Sequence, residues 1–189
     1  LPLATEPARA GTDYLYRPVG VAGQALEIRG DFDGDGATTR ATVGGVPAET
    51  VAESPRHSFV AVPPSAMGPT WLELAEDGAR YSGAFRSLAA RLSPGKPVLA
   101  AGERTTLRLS IHGLGQLDAE MPLQIVSLDP QTTLLESGAV QTLHVHPSEV
   151  LSGGSYLWIG TALGVTPGPV ELTLSTRHAR PESRLEPEP

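Results

Sequence analysis

The chain has no cysteine, which excludes disulfides, thiolate nucleophiles and cysteine-ligated metals and leaves folding to packing and hydrogen bonds. Aromatic residues are scarce, and no apolar run approaches the roughly 18 to 20 residues needed to cross a bilayer as a helix. There is no polybasic segment. The 14 Lys and Arg are outnumbered by 21 Asp and Glu, giving a formal charge of -7 that repels a phosphate backbone and argues against a nucleic-acid partner. Catalytic signatures are missing as well: no GxSxG elbow, no HExxH pair and no GxxxxGK[ST] loop occurs. The one glycine cluster near a strand, His112-Gly113-Leu114-Gly115, lacks the third glycine and the helix that a phosphate site needs. A non-enzyme is therefore expected. The chain opens on Leu1 rather than Met, so it reads as a processed or trimmed chain from which any secretion signal would already be gone.

What is abundant is punctuation. Glycine (21) and proline (18) make up about a fifth of the 189 residues, too dense for long helices and suited to short strands joined by turns. Period-2 segments recur: QALEIRG, ATVGG, SFVAVP, TWLELAE and YSGAFRSL, then TTLRLSIHG, PLQIVSL, VQTLHVHP, SYLWIGTAL and GPVELTLST. SEVLSG, residues 148–153, is long enough for one helical turn. The expectation is an all-β chain of two tandem immunoglobulin-like sandwiches, residues 13–90 and 91–177. RLSPGKP, residues 91–97, with two prolines and a glycine, is the expected boundary. Residues 1–12 read as an extended arm and residues 178–189 as a Pro/Glu-rich tail, ends that need a partner or the parent domain to order them.

The first unit carries a recognisable set of positions. An opening strand runs to Gly30 and Phe32; a second ends in Gly44-Gly45 before Val46-Pro47-Ala48; a later one finishes at Val62-Pro63, and a glycine-led strand, Gly68 to Leu74, precedes the closing Phe85. Over about residues 16–88 this resembles the IPT/TIG domain, an immunoglobulin-like fold. The motif consists of structural residues. The resemblance implies a sandwich without catalysis, of the kind found in surface receptors, adhesins and accessory modules of carbohydrate-active enzymes. The second unit is similar to bacterial surface Ig-like repeats, and tandem modules of this kind resemble pieces of secreted or surface-exposed bacterial proteins, which implies an extracytoplasmic location in the periplasm, at the cell surface or in the medium.

Four groups of residues are candidates for function. In GDFDGDG, Asp31, Asp33 and Asp35 alternate, so three carboxylates fall on one side of an extended loop. Calcium is one reading. An acidic turn is the other, because an EF-hand-type loop would need an acid where Thr42 stands and a propeller-type loop one where Thr39 stands. His144 and His146 share a strand face and could take a transition metal given a third ligand such as Glu149 or His112. Trp71 and Trp158 lie in apolar strands and are expected in the cores; exposed, they would offer a platform for carbohydrate. Tyr14 and Tyr16, next to the arm, are the interface candidates. The function expected is a structural or interaction module that pairs with a protein partner or with itself, and the alternative is a carbohydrate-binding module of a secreted hydrolase.

Overall fold

The computed structural model describes residues 13–32, 39–76 and 78–189, and these form an all-β molecule. The first nine strands are β1 Leu15–Tyr16, β2 Val19–Val21, β3 Ala25–Arg29, β4 Arg40–Val43, β5 Val46–Ala48, β6 Thr50–Ser54, β7 His57–Ala61, β8 Gly68–Glu76 and β9 Ala79–Pro94. They are followed by β10 Val98–Leu99, β11 Arg104–His112, β12 Met121–Ser127, β13 Thr133–Leu135, β14 Val140–Val145 and β15 Tyr156–Gly164. The chain ends with β16 Gly168–Pro169, β17 Leu172–Ser175, β18 Ser183–Arg184 and β19 Glu186–Pro187. Among the described residues the single helical element is a 3₁₀ turn at Pro147–Glu149, at the start of the segment read as a turn.

Alternation decides which faces are buried. In β3, Leu26 and Ile28 point inward between exposed Ala25 and Glu27; in β11, Leu107, Leu109 and Ile111 do so between Arg104, Thr106 and Arg108. The β4–β5 hairpin turns on Gly44 (φ +60) and Gly45 (φ +75), a pair of left-handed positions that a two-residue turn of this hand requires.

One core gathers Tyr14, Tyr16, Leu26, Ile28, Phe32, Val60, Leu72, Leu74 and Phe85; the other gathers Leu88, Leu107, Leu109, Ile111, Met121, Leu123, Ile125 and Val145. The first lies between the sheet β18-β1-β3-β7-β6 and the β5-β4-β8-β9 part of a nine-stranded sheet. The second lies between the β9-β11-β15-β13 part of that same sheet and the sheet β14-β12-β17.

The expected linker at 91–97 is a strand for much of its length. Arg91, Leu92, Ser93 and Pro94 pair with β11, so β9 crosses between the sandwiches unbroken. The prolines come only where the strand ends, at Pro94 and beyond it at Pro97, where a missing N–H is tolerated. Along this strand Gly83 and Phe85 face the first core, whereas Leu88, Ala90 and Leu92 face the second. Odd and even residues of a strand point to opposite sides. The two cores therefore lie against opposite faces of one continuous sheet.

The expected arm, residues 1–12, lies outside the described residues, whereas the C-terminal segment is tied in. Residues 178–189 are no free tail: β18 pairs with β1, β19 pairs with β9, and Leu185 between them is buried in the first core. Gly83 leaves the room this needs, since a Cβ there would sit 2.3 Å from the Tyr16 hydroxyl and 3.0 Å from Leu185 Cδ2. In exchange β2, which precedes the first-sandwich strand β3, sends Val19 and Val21 into the second core.

Candidate functional site

Three surfaces collect the residues singled out above. At the end of the first sandwich, β1 and the residue before it carry Tyr14 and Tyr16 into the core, each about 2% exposed. This corrects the expectation that they form an interface. Leu15, between them, takes the outer side instead, because the two rings on the inner side find both packing and hydrogen-bond acceptors. Tyr16 donates its hydroxyl to the Ala84 carbonyl at 2.7 Å. Tyr14 donates to the Glu76 carboxylate at 2.5 Å, with the Asp31 carbonyl 3.1 Å away, and its ring stacks edge-on to Tyr81 at 4.7 Å. Gly30 lies against that ring, and a Cβ there would stand 2.3 Å from it. Burial, then Glu76, raises the Tyr14 pKa far above the usual phenol value; burial alone pushes Tyr16 up to about 12.

Of the three candidate calcium carboxylates, only Asp31 falls within the described residues; Asp33 and Asp35 lie outside them. Asp31 borders an open, shallow pocket of about 470 Å³ lined also by Asp13, Arg29, Arg56 and His57. Glu76 is a buried acid at the end of β8. The signal was present: in TWLELAE, Glu76 shares the inward parity of Leu72 and Leu74.

Between the sandwiches an open groove of about 630 Å³ runs from the outer side of β3 to β17. Several of its ionisable groups pair with one another: Glu27 with His57 at 2.7 Å, Arg17 with Glu182 at 3.5 Å, and Arg29 with Glu182. Gln24 crosses it, donating to Thr173 Oγ1 and the Leu174 carbonyl. Behind it, Arg86 of β9 donates to the carbonyls of Gly113 and Gly115, both at 2.8 Å, and burial lowers its pKa.

The third surface is the outer face of the first sandwich. Trp71 is 58% exposed, contrary to the expectation of a core position. It alternates with Pro69 and Glu73 on the outward parity of β8 and stands opposite Ala84 of β9. Its neighbours are small or polar: Ala84 on one strand and, on the other, Thr42, which donates to Glu73 at 2.7 Å. Trp158 is half-buried against the second core, its ring folded over Gly160. His144 and His146 do share a face, where Glu120 pairs with both imidazoles, at 3.3 Å from His146. No group of three or more metal-binding side chains among the described residues is arranged to hold an ion.

No family model and no curated protein matches the chain. Among solved structures it is similar to a protein of unknown function from Bacteroides thetaiotaomicron, at 11% identity and a TM-score of 0.39, with 87% of this chain and 40% of that one covered. It is similar also to SGBP-B of the Bacteroides ovatus mixed-linkage glucan utilization locus, solved with a mixed-linkage heptasaccharide, at 12% identity and a TM-score of 0.39, covering 84% and 51%. A titin I9–I11 tandem follows at 9% identity and a TM-score of 0.27, covering 86% and 62%. The chain thus spans less than two thirds of each, and likeness this distant carries no inference about activity. No helix among the described residues is long and apolar enough to cross a membrane.

Proposed function

We propose that the chain is a non-catalytic, extracytoplasmic structural or interaction module of a bacterial surface, filament or membrane-associated assembly, with its first sandwich of the IPT/TIG type. The observation that carries this reading is Trp71. Its large aromatic ring is left 58% exposed on the outward side of β8, where it is available to anchor a partner. The scaffold beneath it is stiff: β9 runs through both sandwiches, and Arg86 and Gln24 bridge them. A rigid body that presents one aromatic anchor fits recognition, in which a few residues supply most of the binding energy.

A second reading draws on what surrounds the anchor. Thr42, Glu73 and Ser82 place hydroxyls and a carboxylate on the strand positions next to Trp71 and Ala84, a setting that suits a sugar ring as well as a protein side chain. Affinity capture from a native bacterial envelope, run beside titration with soluble β-glucan oligosaccharides, separates the two. Under the first reading, envelope protein is retained by the wild type, Trp71→Ala loses it, and oligosaccharides leave the tryptophan emission unchanged. Emission that shifts with oligosaccharide and is silent in Trp71→Ala would favour the second. Retention of nothing, with no emission change, would sink both.

A further inference from the structure

Every sandwich has edges, and this molecule blunts most of its own. β5 has Pro47 at its centre; β6 is bulged between Thr50 and Ala52; β13 and β18 are three and two residues long. β14 presents His144, bonded to Glu120, and β17 lies against Gln24 of the first sandwich. β15 has none of these protections. Residues 156–161 pair with β11 on one side, whereas β13 reaches only as far as Ala162 on the other. Among the described residues no strand covers those six positions. Leu157 and Ile159 stand out from this stretch, 52% and 57% exposed. No charged residue occurs between Glu149 and Glu171, and no proline interrupts β15.

We propose that this edge is a self-pairing surface, and that its occupant is β15 of a second copy of the chain, joined antiparallel about a two-fold axis. The charge pattern selects this occupant. The molecule carries -7 overall, a charge that on average repels a second copy, whereas β15 is an uncharged stretch where two copies meet without setting like charges against each other. An axis at Ile159 places Ile159 opposite its own image and Leu157 opposite Thr161 of the second copy, so the outward side of the seam is uncharged and largely apolar. The outward apolar strip doubles in length and becomes covered on its open side. Arg108, opposite Ile159 on β11, stays one strand away from the seam. A six-residue ladder buries less than the roughly 1,000 Å² of a permanent interface, so the pair is concentration-dependent.

This inference rests on the interaction role proposed above and names a surface remote from Trp71, so the two can fail separately. Sedimentation velocity of the full chain across a wide concentration range is expected to show the mass rising from 19.7 kDa towards twice that value. Ile159→Lys, at a position already open to solvent, should weaken the association by roughly tenfold or more, as a like-charge pair at the seam would. Ile159→Thr keeps a β-branched residue and should weaken it less, with the melting temperature held in both variants. Trp71→Ala should dimerise like the wild type. A single-chain mass at every concentration, a dimer that survives Ile159→Lys, or growth beyond two copies would each overturn the proposal. The envelope-capture experiment on Trp71 would stand unaffected.

Discussion

The two sandwiches share a strand but solve the problem of a core differently. The first is aromatic, built around Tyr14, Tyr16, Phe32 and Phe85, and it closes only when residues from both ends of the described chain meet: β1 lies between β3 and β18, with Leu185 beneath. The second is aliphatic, built from leucine, isoleucine, valine and one methionine on β11, β12, β14 and the end of β9. Its sole distant contribution to the buried cluster from the first 80 residues is Val19 and Val21 on β2. The difference teaches which half depends on long-range closure. Such closure is entropically costly and comes late, so the first sandwich should be the half that fails when the chain end is disturbed.

Removing residues 182–189 breaks the comparison most directly. It deletes Leu185, the β18 and β19 pairings and the Glu182 carboxylate that meets Arg17 and Arg29. Losing one buried leucine costs about 2 to 5 kcal/mol, and the lost strand pairings add to it. The loss is expected to approach the whole stability of a small domain. The chain holds two tryptophans, one in each sandwich, so each half has its own reporter. In a Trp71→Phe background, Trp158 should still report a cooperative transition in the truncated chain, while near-ultraviolet tyrosine signals of the first core are lost. Loss of both halves together would show that the shared strand makes one cooperative unit.

How much of this was legible in the sequence varies with the range of the interaction. Strand existence, the fold class and the parity of each strand are short-range, and LEIRG or TTLRLSIHG states them outright. Parity also spoke for two positions where residue type alone did not: Trp71 shares its side of β8 with Glu73, and Glu76 shares the other side with Leu74. Which face of Tyr14-Leu15-Tyr16 turns inward depended on Gly30, Gly83 and Ala84, up to about 70 residues away, and no local pattern encodes that. The same holds for a lone Leu185 in a charged, proline-rich stretch. Nor does a proline-glycine cluster tell a linker from a strand that happens to end there.

Alkali should sharpen the contrast by a middling amount. In the unfolded chain a tyrosine ionises near pH 10; in the native first sandwich Tyr16 holds its proton up to about pH 12, and Tyr14 holds its own beyond that. Below pH 10 both states are protonated and stability does not depend on these groups. Above it the unfolded state binds fewer protons, so stability falls with pH, by about 1.4 kcal/mol per unit for each tyrosine, until the native group also ionises. The second sandwich has only Tyr156, raised by partial burial and then by Glu149. Chemical denaturation at pH 9, 10.5 and 11.5 is expected to show a steeper decline for the tyrosine signals of the first core than for Trp158. Tyr16→Phe should flatten that decline, and equal slopes in both halves would mean that they unfold as one.

The smallest effect is expected where the sequence looked most loaded. Asp31 borders an open pocket lined also by Asp13, Arg29 and Arg56, and its carbonyl lies by the Tyr14 hydroxyl. Hard cations need six to eight oxygens, and Thr39 and Thr42 stand where the two loop templates would supply the completing acid. The expectation for GDFDGDG is therefore an acidic turn rather than a calcium loop. Adding millimolar calcium, or removing it with chelator, should leave the melting temperature of the wild type where it is, and Asp33→Ala should behave in the same way. A rise with calcium that Asp33→Ala abolishes would make this loop a third long-range clasp on the first sandwich, and would deepen the asymmetry between the two halves.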